Sequence, residues 1–365
     1  MSVRGRGNRT FALPDDGVLR SNVDHQPWDN DHFFHDLPDA TGSPPFRMDL
    51  GEILADEEMA AIQQSGKLVF QTAGDTGNYR DNLQREVAAR MVSEAANSGS
   101  KFFYHLGDVV YLYGEDREYP DQFYEVYNDY DYPIVGIPGN HDGARYHHSP
   151  DSLSGFMANF CDDEPRMPPS IQRTGRHPDR KTMTQPNCYW TLNTPFCTII
   201  GLYTNVPSGG DVREPQVSWF LNEMLAAPQD KELIVALHHP VHSIAKGSHA
   251  GSKAMDDLLL NACQRANRVP KLVLTGHVHN YQRYTTKFLG KPCTFVVAGM
   301  GGHAKDSKVP GGEIKNRDIP HDYPVHLNLA TDRHVGFVEV TAKAGSLHCE
   351  FMAVGHTEPV DQFTV

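Results

Sequence analysis

The chain has 365 residues, 39% of them hydrophobic and 22% charged, and a formal net charge of −13. That length suits one large α/β domain with decoration, and that composition suits a globular protein with a sizeable buried core. The acidic balance argues against broad nucleic-acid or anionic-membrane contact, which needs a basic face, yet it leaves phosphate substrates open because bound cations reverse a local field.

Residues 1–65 read as an irregular N-terminal extension rich in Pro, Asp, His and Asn, with helical character only over 52–63. Arg4 and Arg6 read as a solvated basic tail. No apolar stretch follows them, so no secretory signal is expected and the cytoplasm is the expected compartment, secretion remaining open. The sequon Asn8-Arg9-Thr10 carries little weight without such a signal. No run of 18 apolar residues exists, so no membrane span is expected.

From Lys67 the pattern changes to short apolar runs alternating with helical periodicity, the mark of βα units. Buried strands are expected at LVFQTA (68–73), KFFYHL (101–106), PIVGIP (133–138), LIVALH (233–238) and KLVLTG (271–276). Between the first two, Leu83, Val87, Ala88, Met91, Val92 and Ala95 recur at helical spacing, as do Ala254, Leu258, Leu259, Ala262 and Cys263 between the last two. Residues 143–190, rich in Pro, Arg and His, form an insertion long enough to serve as a lid or binding loop. The runs TFVVAG (294–299), VGFVEVT (335–341) and LHCEFMAV (347–354) are expected to complete a second sheet. The main domain thus covers 66–365. Trp190 and Trp219 read as core. Six scattered cysteines without a CxxC pair read as free thiols or at most one or two bridges.

Each of the five strands ends in polar residues able to bind metal: Gly74-Asp75-Thr76-Gly77, Gly107-Asp108-Val109-Val110-Tyr111, Gly139-Asn140-His141-Asp142, His238-His239-Pro240 and Gly276-His277-Val278-His279-Asn280. Ligands collect at the carboxyl ends of strands in open α/β sheets, so these ends can converge on one site. An aspartate after a strand is more often a turn residue or a helix cap, and a lone tyrosine is more often a half-buried aromatic. The combination overturns that bland reading. Hard cations want carboxylate and amide oxygens, imidazole suits iron, zinc and manganese, and two ions sharing a carboxylate can clamp both oxygens of an in-line displacement.

Taken in order, GDTG, GDVVY, GNHD, VALH and GHVH resemble the five blocks of the calcineurin-like metallophosphoesterases, in particular the purple acid phosphatase branch. The resemblance spans about residues 67–356. Gly77 stands where the broad family usually has a histidine, and Tyr111 is the residue that in the purple branch becomes a ligand of ferric iron. It implies a four-layer αββα sandwich of two mixed β-sheets flanked by helices. It implies two metal ions: Fe(III) at Asp75, Asp108, Tyr111 and His279, and Fe(II), Zn or Mn at Asp108, Asn140, His238 and His277, with Asp108 bridging. A metal-bound hydroxide would attack a small-molecule phosphate ester. His141, and His242 or His249 from the loop after the fourth strand, would steady the phosphate or protonate the leaving oxygen. Phosphomonoester hydrolysis is favoured. A phosphodiesterase on the same site and a non-catalytic scaffold are the rivals. His105, His147, His148, His303, His321 and His326 read as surface or structural residues, and Asp142 as support for its turn.

Overall fold

The computed structural model describes residues 37–78, 83–144, 152–174, 179–206, 209–305 and 307–365. Strand β1 (Arg47–Asp49) opens it, followed by helix α1 (Asp56–Ser65), which ends at Gly66 in the left-handed conformation. The sequence reading gave only a helix to this stretch. A three-residue strand at a sheet edge carries no periodicity to betray it.

Next come β2 (Leu68–Ala73), α2 (Leu83–Ser98), β3 (Phe103–His105) and β4 (Ile134–Gly136). All six residues of β2 are buried, as expected of a strand covered on both faces. These strands pair in parallel, and α2 lays Val87, Ala88, Met91 and Ala95 against that sheet. The short helices α3 (Asn140–Gly143), α4 (Ser154–Phe160) and α5 (Pro169–Thr174) follow. The insertion expected over 143–190 is only partly within the described residues. So is the N-terminal extension; the basic tail, the sequon, His147 and His148 all lie outside them.

Strands β5 (Trp190–Asn193), β6 (Cys197–Gly201), β7 (Glu232–Leu237) and β8 (Leu272–Thr275) build a second sheet, with α6 (Gln216–Ala226) and α7 (Lys253–Ala266) between them in sequence. Helix α7 is capped at both ends: the Ser252 side chain accepts from Met255 N, and Asn267 closes the helix at φ 48°. The rest of the chain is mainly antiparallel: β9 (Tyr281–Phe288), β10 (Lys291–Ala298), β11 (Glu313–Ile319), β12 (Val325–Thr331), β13 (Gly336–Lys343), β14 (Ser346–Ala353) and β15 (Asp361–Thr364).

Two mixed sheets result. One has nine strands in the order β1-β5-β6-β7-β8-β10-β9-β12-β11; the other has six, β15-β14-β13-β2-β3-β4. The C-terminal runs therefore divide. TFVVAG lies beside β8 in the larger sheet, whereas β13 and β14 extend the smaller one beside β2. The sheets meet face to face. Tyr281 of β9 stacks on Phe351 of β14 at 4.4 Å, and the Trp190 indole N–H of β5 donates to the Gly136 carbonyl of β4 at 2.9 Å. Helix α2 covers the smaller sheet, and the mutually packed α6 and α7 lie with the larger, giving the αββα sandwich. All six cysteines are free and buried, and Trp190 and Trp219 are in the core. Among the described residues no helix is long and apolar enough to cross a membrane.

Candidate metal centre

Strands β2, β3 and β4 of one sheet, and β7 and β8 of the other, deliver their polar ends to one place. The turns that do so are tight. Gly107 sits at φ 94°, and Asp75, Asp108 and His277 themselves take φ values of 58°, 54° and 70°. Such left-handed conformations at non-glycine residues cost about 1–3 kcal/mol each and persist where the surroundings over-determine them. The surroundings here do.

Each carboxylate ties one oxygen to backbone and turns the other inward. Asp75 Oδ2 accepts from His277 N at 2.7 Å, and its Oδ1 lies 3.3 Å from Tyr111 Oη and 3.4 Å from His279 Nε2. Asp108 Oδ1 accepts from His141 N at 2.8 Å, and its Oδ2 lies 3.0 Å from Tyr111 Oη and 3.3 Å from His238 Nε2. Asn140 Oδ1 stands 3.1 Å from His238 Nε2 and 3.0 Å from His277 Nδ1. The outer nitrogens of both imidazoles meet carbonyl oxygens, His238 Nδ1 at Leu106 O (2.8 Å) and His277 Nε2 at Ser248 O (3.2 Å). A carbonyl can only accept, so those nitrogens carry an N–H, and the opposite ring nitrogens face Asn140 and Asp108. This is how metal-ligating histidines are oriented.

The donors fit cations. Neighbouring ligands of an ion held at about 2.1 Å stand roughly 3.0–3.4 Å apart in octahedral or tetrahedral geometry. The distances above span 3.0–3.4 Å. The donor atoms of Asp108, His238 and His277 all lie within 4.8 Å of one another. Every inward group is a lone-pair donor, a set that attracts positive charge. The protein groups alone would draw in a proton: burial pulls the His238 imidazole down, but the Asp108 carboxylate overrides it and lifts the pKa to about 9. Burial raises Asp108 in turn, and His238 and His141 more than compensate, holding it well below the usual carboxylate range.

The structure brings Asp75, Asp108, Tyr111, Asn140, His238, His277 and His279 together, all buried. His141 is beside them, its Nδ1 on Leu112 O at 2.7 Å and its ring 4.3 Å from that of Tyr111. His249 is there too, with ring centroids 5.0 Å from His277 and 5.6 Å from His279. His242 keeps other company, among Tyr284, Phe295, His321 and Tyr323, where burial and His321 lower its pKa to about 3.

Gln122 went unread in the sequence, His303 was expected to be a surface or structural residue, and His239 was named only beside His238; all three pack around the cluster. Gln122 Oε1 accepts from Tyr111 N at 2.9 Å and its Nε2 donates to Tyr111 O at 2.5 Å, a two-way grip from eleven residues away. The His239 ring packs 4.4 Å from that of His277. Buried His303 stacks on Tyr111. No sequence signal distinguishes these from ordinary core residues. Asp142 does support its turn and more, accepting from Gly139 N, Val109 N and Val110 N; burial, with Asp108 nearby, raises its pKa to about 7. His105 is structural, linking Gly107 N to Thr76 Oγ1.

Among solved structures, a purple acid phosphatase, PPD1 from yellow lupin (Lupinus luteus) seeds, aligns with TM-score 0.55 and 16% identity over 82% of this chain and 53% of that one. GAP50, the anchor in the inner membrane complex of Plasmodium, aligns with TM-score 0.54 and 14% identity over 82% and 88%. A dimetal phosphatase from Danio rerio aligns with TM-score 0.50 and 11% identity over 82% and 98%. At such identities these likenesses establish the fold. No curated protein matches the chain in sequence. The calcineurin-like phosphoesterase family model matches residues 72–281, more than half the chain. The protein belongs to the calcineurin-like phosphoesterases, a family of metal-dependent phosphoesterases.

Proposed function

We propose that this chain hydrolyses small phosphomonoesters at a mixed-valent or mixed-metal pair. In this reading Asp75, Asp108, Tyr111 and His279 hold Fe(III), while Asp108, Asn140, His238 and His277 hold Fe(II), Zn or Mn. The observation that carries it is the double role of Asp108 Oδ2, 3.0 Å from Tyr111 Oη on one side and 3.3 Å from His238 Nε2 on the other, the position of an oxygen shared by two sites. When bound, the ions supply Lewis acidity toward phosphoryl oxygens and lower the pKa of water from about 15.7 to about 7.

The chain's own part is positioning and proton traffic. His141 is held by its N–H on Asp108 and by Leu112 O at Nδ1; in this reading its Nε2 is the atom that meets a phosphoryl or leaving oxygen. His249, near His277 and His279 and 3.4 Å from Ser307 Oγ through Nδ1, approaches the same space from the loop after β7. His242 supports that loop from its aromatic pocket rather than touching substrate. Residues 66–365 form the catalytic unit of this reading, with the 143–190 insertion proposed as its lid or binding loop.

A second reading is a non-catalytic anchor, favoured by the likeness to GAP50 over 88% of that chain. Metal content, the visible spectrum, and rates on a phosphomonoester and a phosphodiester decide between them. We expect bound iron with a second metal, a visible tyrosinate-to-iron band, and faster turnover of the monoester. Substoichiometric metal with no turnover would leave the anchor reading. Faster diester cleavage would reassign the substrate class.

A further inference from the structure

Tyr111 differs from His238 and His277, whose far ring nitrogens are anchored on Leu106 O and Ser248 O: its ring carries no second polar atom, so a tilt of the ring displaces its donor oxygen. Backbone does not restrain a tyrosine ring; something must pack on it. The His303 imidazole does, with ring centroids 3.6 Å apart and planes 12° from parallel.

His303 is not placed there by its own loop alone. Gly301 N donates to Gly74 O at 3.1 Å, and His303 N donates to Asp75 O at 2.9 Å. The Asn78 amide donates to Gly302 O at 3.0 Å and to His303 O at 2.7 Å. His303 Nδ1 meets Gly77 O at 2.6 Å, and because a carbonyl only accepts, that nitrogen carries the hydrogen. Five hydrogen bonds therefore strap residues 301–303 to 74–78, the loop that also carries Asp75.

We propose that His303 is a positioning residue for the Tyr111 phenol: the strap holds its imidazole flat on the ring and fixes where the phenol oxygen points among Asp75, Asp108 and His279. This rests on the reading that Tyr111 binds ferric iron. Partners of this kind, one step removed from the metal, typically change metal affinity 10–100-fold when lost.

The test uses the full chain reconstituted with ferric and zinc ions, read by the tyrosinate-to-iron absorption band and by the rate of iron loss to a chelator. His303→Ala is expected to shift and broaden the band and to release iron about tenfold faster. His303→Phe, which keeps a stacked ring, is expected to restore the parental band. Asn78→Ala loosens the strap but keeps the imidazole and should move the band in the same direction; it carries the test if His303→Ala does not fold. A parent without any visible band overturns the ligand reading and this inference with it. A coloured parent whose band and iron retention are untouched by His303→Ala, or by Asn78→Ala in its stead, overturns the inference and leaves the ligand reading standing. A His303→Phe band that matches the alanine variant overturns stacking as the cause.

Discussion

Glu339 is a carboxylate buried in β13, paired across the ladders with Glu350 of β14 and Gln71 of β2. Burial raises its pKa to about 7, although Ser98 Oγ donates to it at 2.7 Å and opposes the shift. The folded state thus favours the protonated acid. Its contribution to stability is complete below the ordinary value of 4.5 and is lost as pH rises through about 7. Glu339→Gln, which mimics the neutral form, should match the parent near pH 4 and exceed it at pH 8 by on the order of 1–3 kcal/mol. Denaturant midpoints across that pH range check this, and a difference independent of pH would refute the assignment. Nothing in VGFVEVT announces such an acid. Period-two alternation says which residues share a face, but it does not reveal that both faces of this strand are covered. The seven residues of the cluster were legible for the opposite reason, since carboxylate, amide, phenol and imidazole groups gathered at five strand ends form a combination that separate turn or capping roles do not explain.

The loop after β2 shows how one element constrains another. A Cβ at Gly77 would meet Gln122 Oε1 at 2.6 Å, Val109 O at 2.7 Å and Tyr111 Cδ2 at 2.9 Å. The place of the family's usual histidine is therefore filled by the tyrosine and by the glutamine that grips it. Gly77→Ala should destabilise by about 1–3 kcal/mol, the usual cost of overpacking, and Gly77→His should do so more strongly without adding a ligand. Thermal melting with metal analysis tests both; a Gly77→His protein with parental stability and higher metal content would show that room exists. The sequence carries the exchange of Gly77 for Tyr111 as two letters, but Gln122, which makes the exchange mechanically sound, lies in an aromatic stretch with no periodic cue. Strand β11 was missed for a related reason. EIKNRDI in β11 is mostly exposed, so its register comes from pairing with β12 and not from a buried face.

At the scale of the molecule, the cluster draws Asp75, Asp108 and Asn140 from the six-stranded sheet and His238, His277 and His279 from the nine-stranded one. A cation binding this set binds only the assembled sandwich. Saturation to about a hundred times Kd should add about 2.7 kcal/mol, seen as a melting temperature that falls on chelation and recovers with iron or zinc. Asp108→Asn should abolish most of that increment, and a melt indifferent to chelator would count against any ion at this place. The two-sheet architecture was legible through the resemblance of the five blocks. The division of the C-terminal runs was not, because adjacency between sheets depends on strand pairings far apart in sequence.

The left-handed turns at Asp75, Asp108 and His277 have one more consequence. Three hinges of the cluster are cocked backbones, each kept in place by bonds to a neighbour on another strand. Slippage of one layer past the other would release them together, so loss of the donor spacing should come abruptly, as a latch opens, and not as gradual drift.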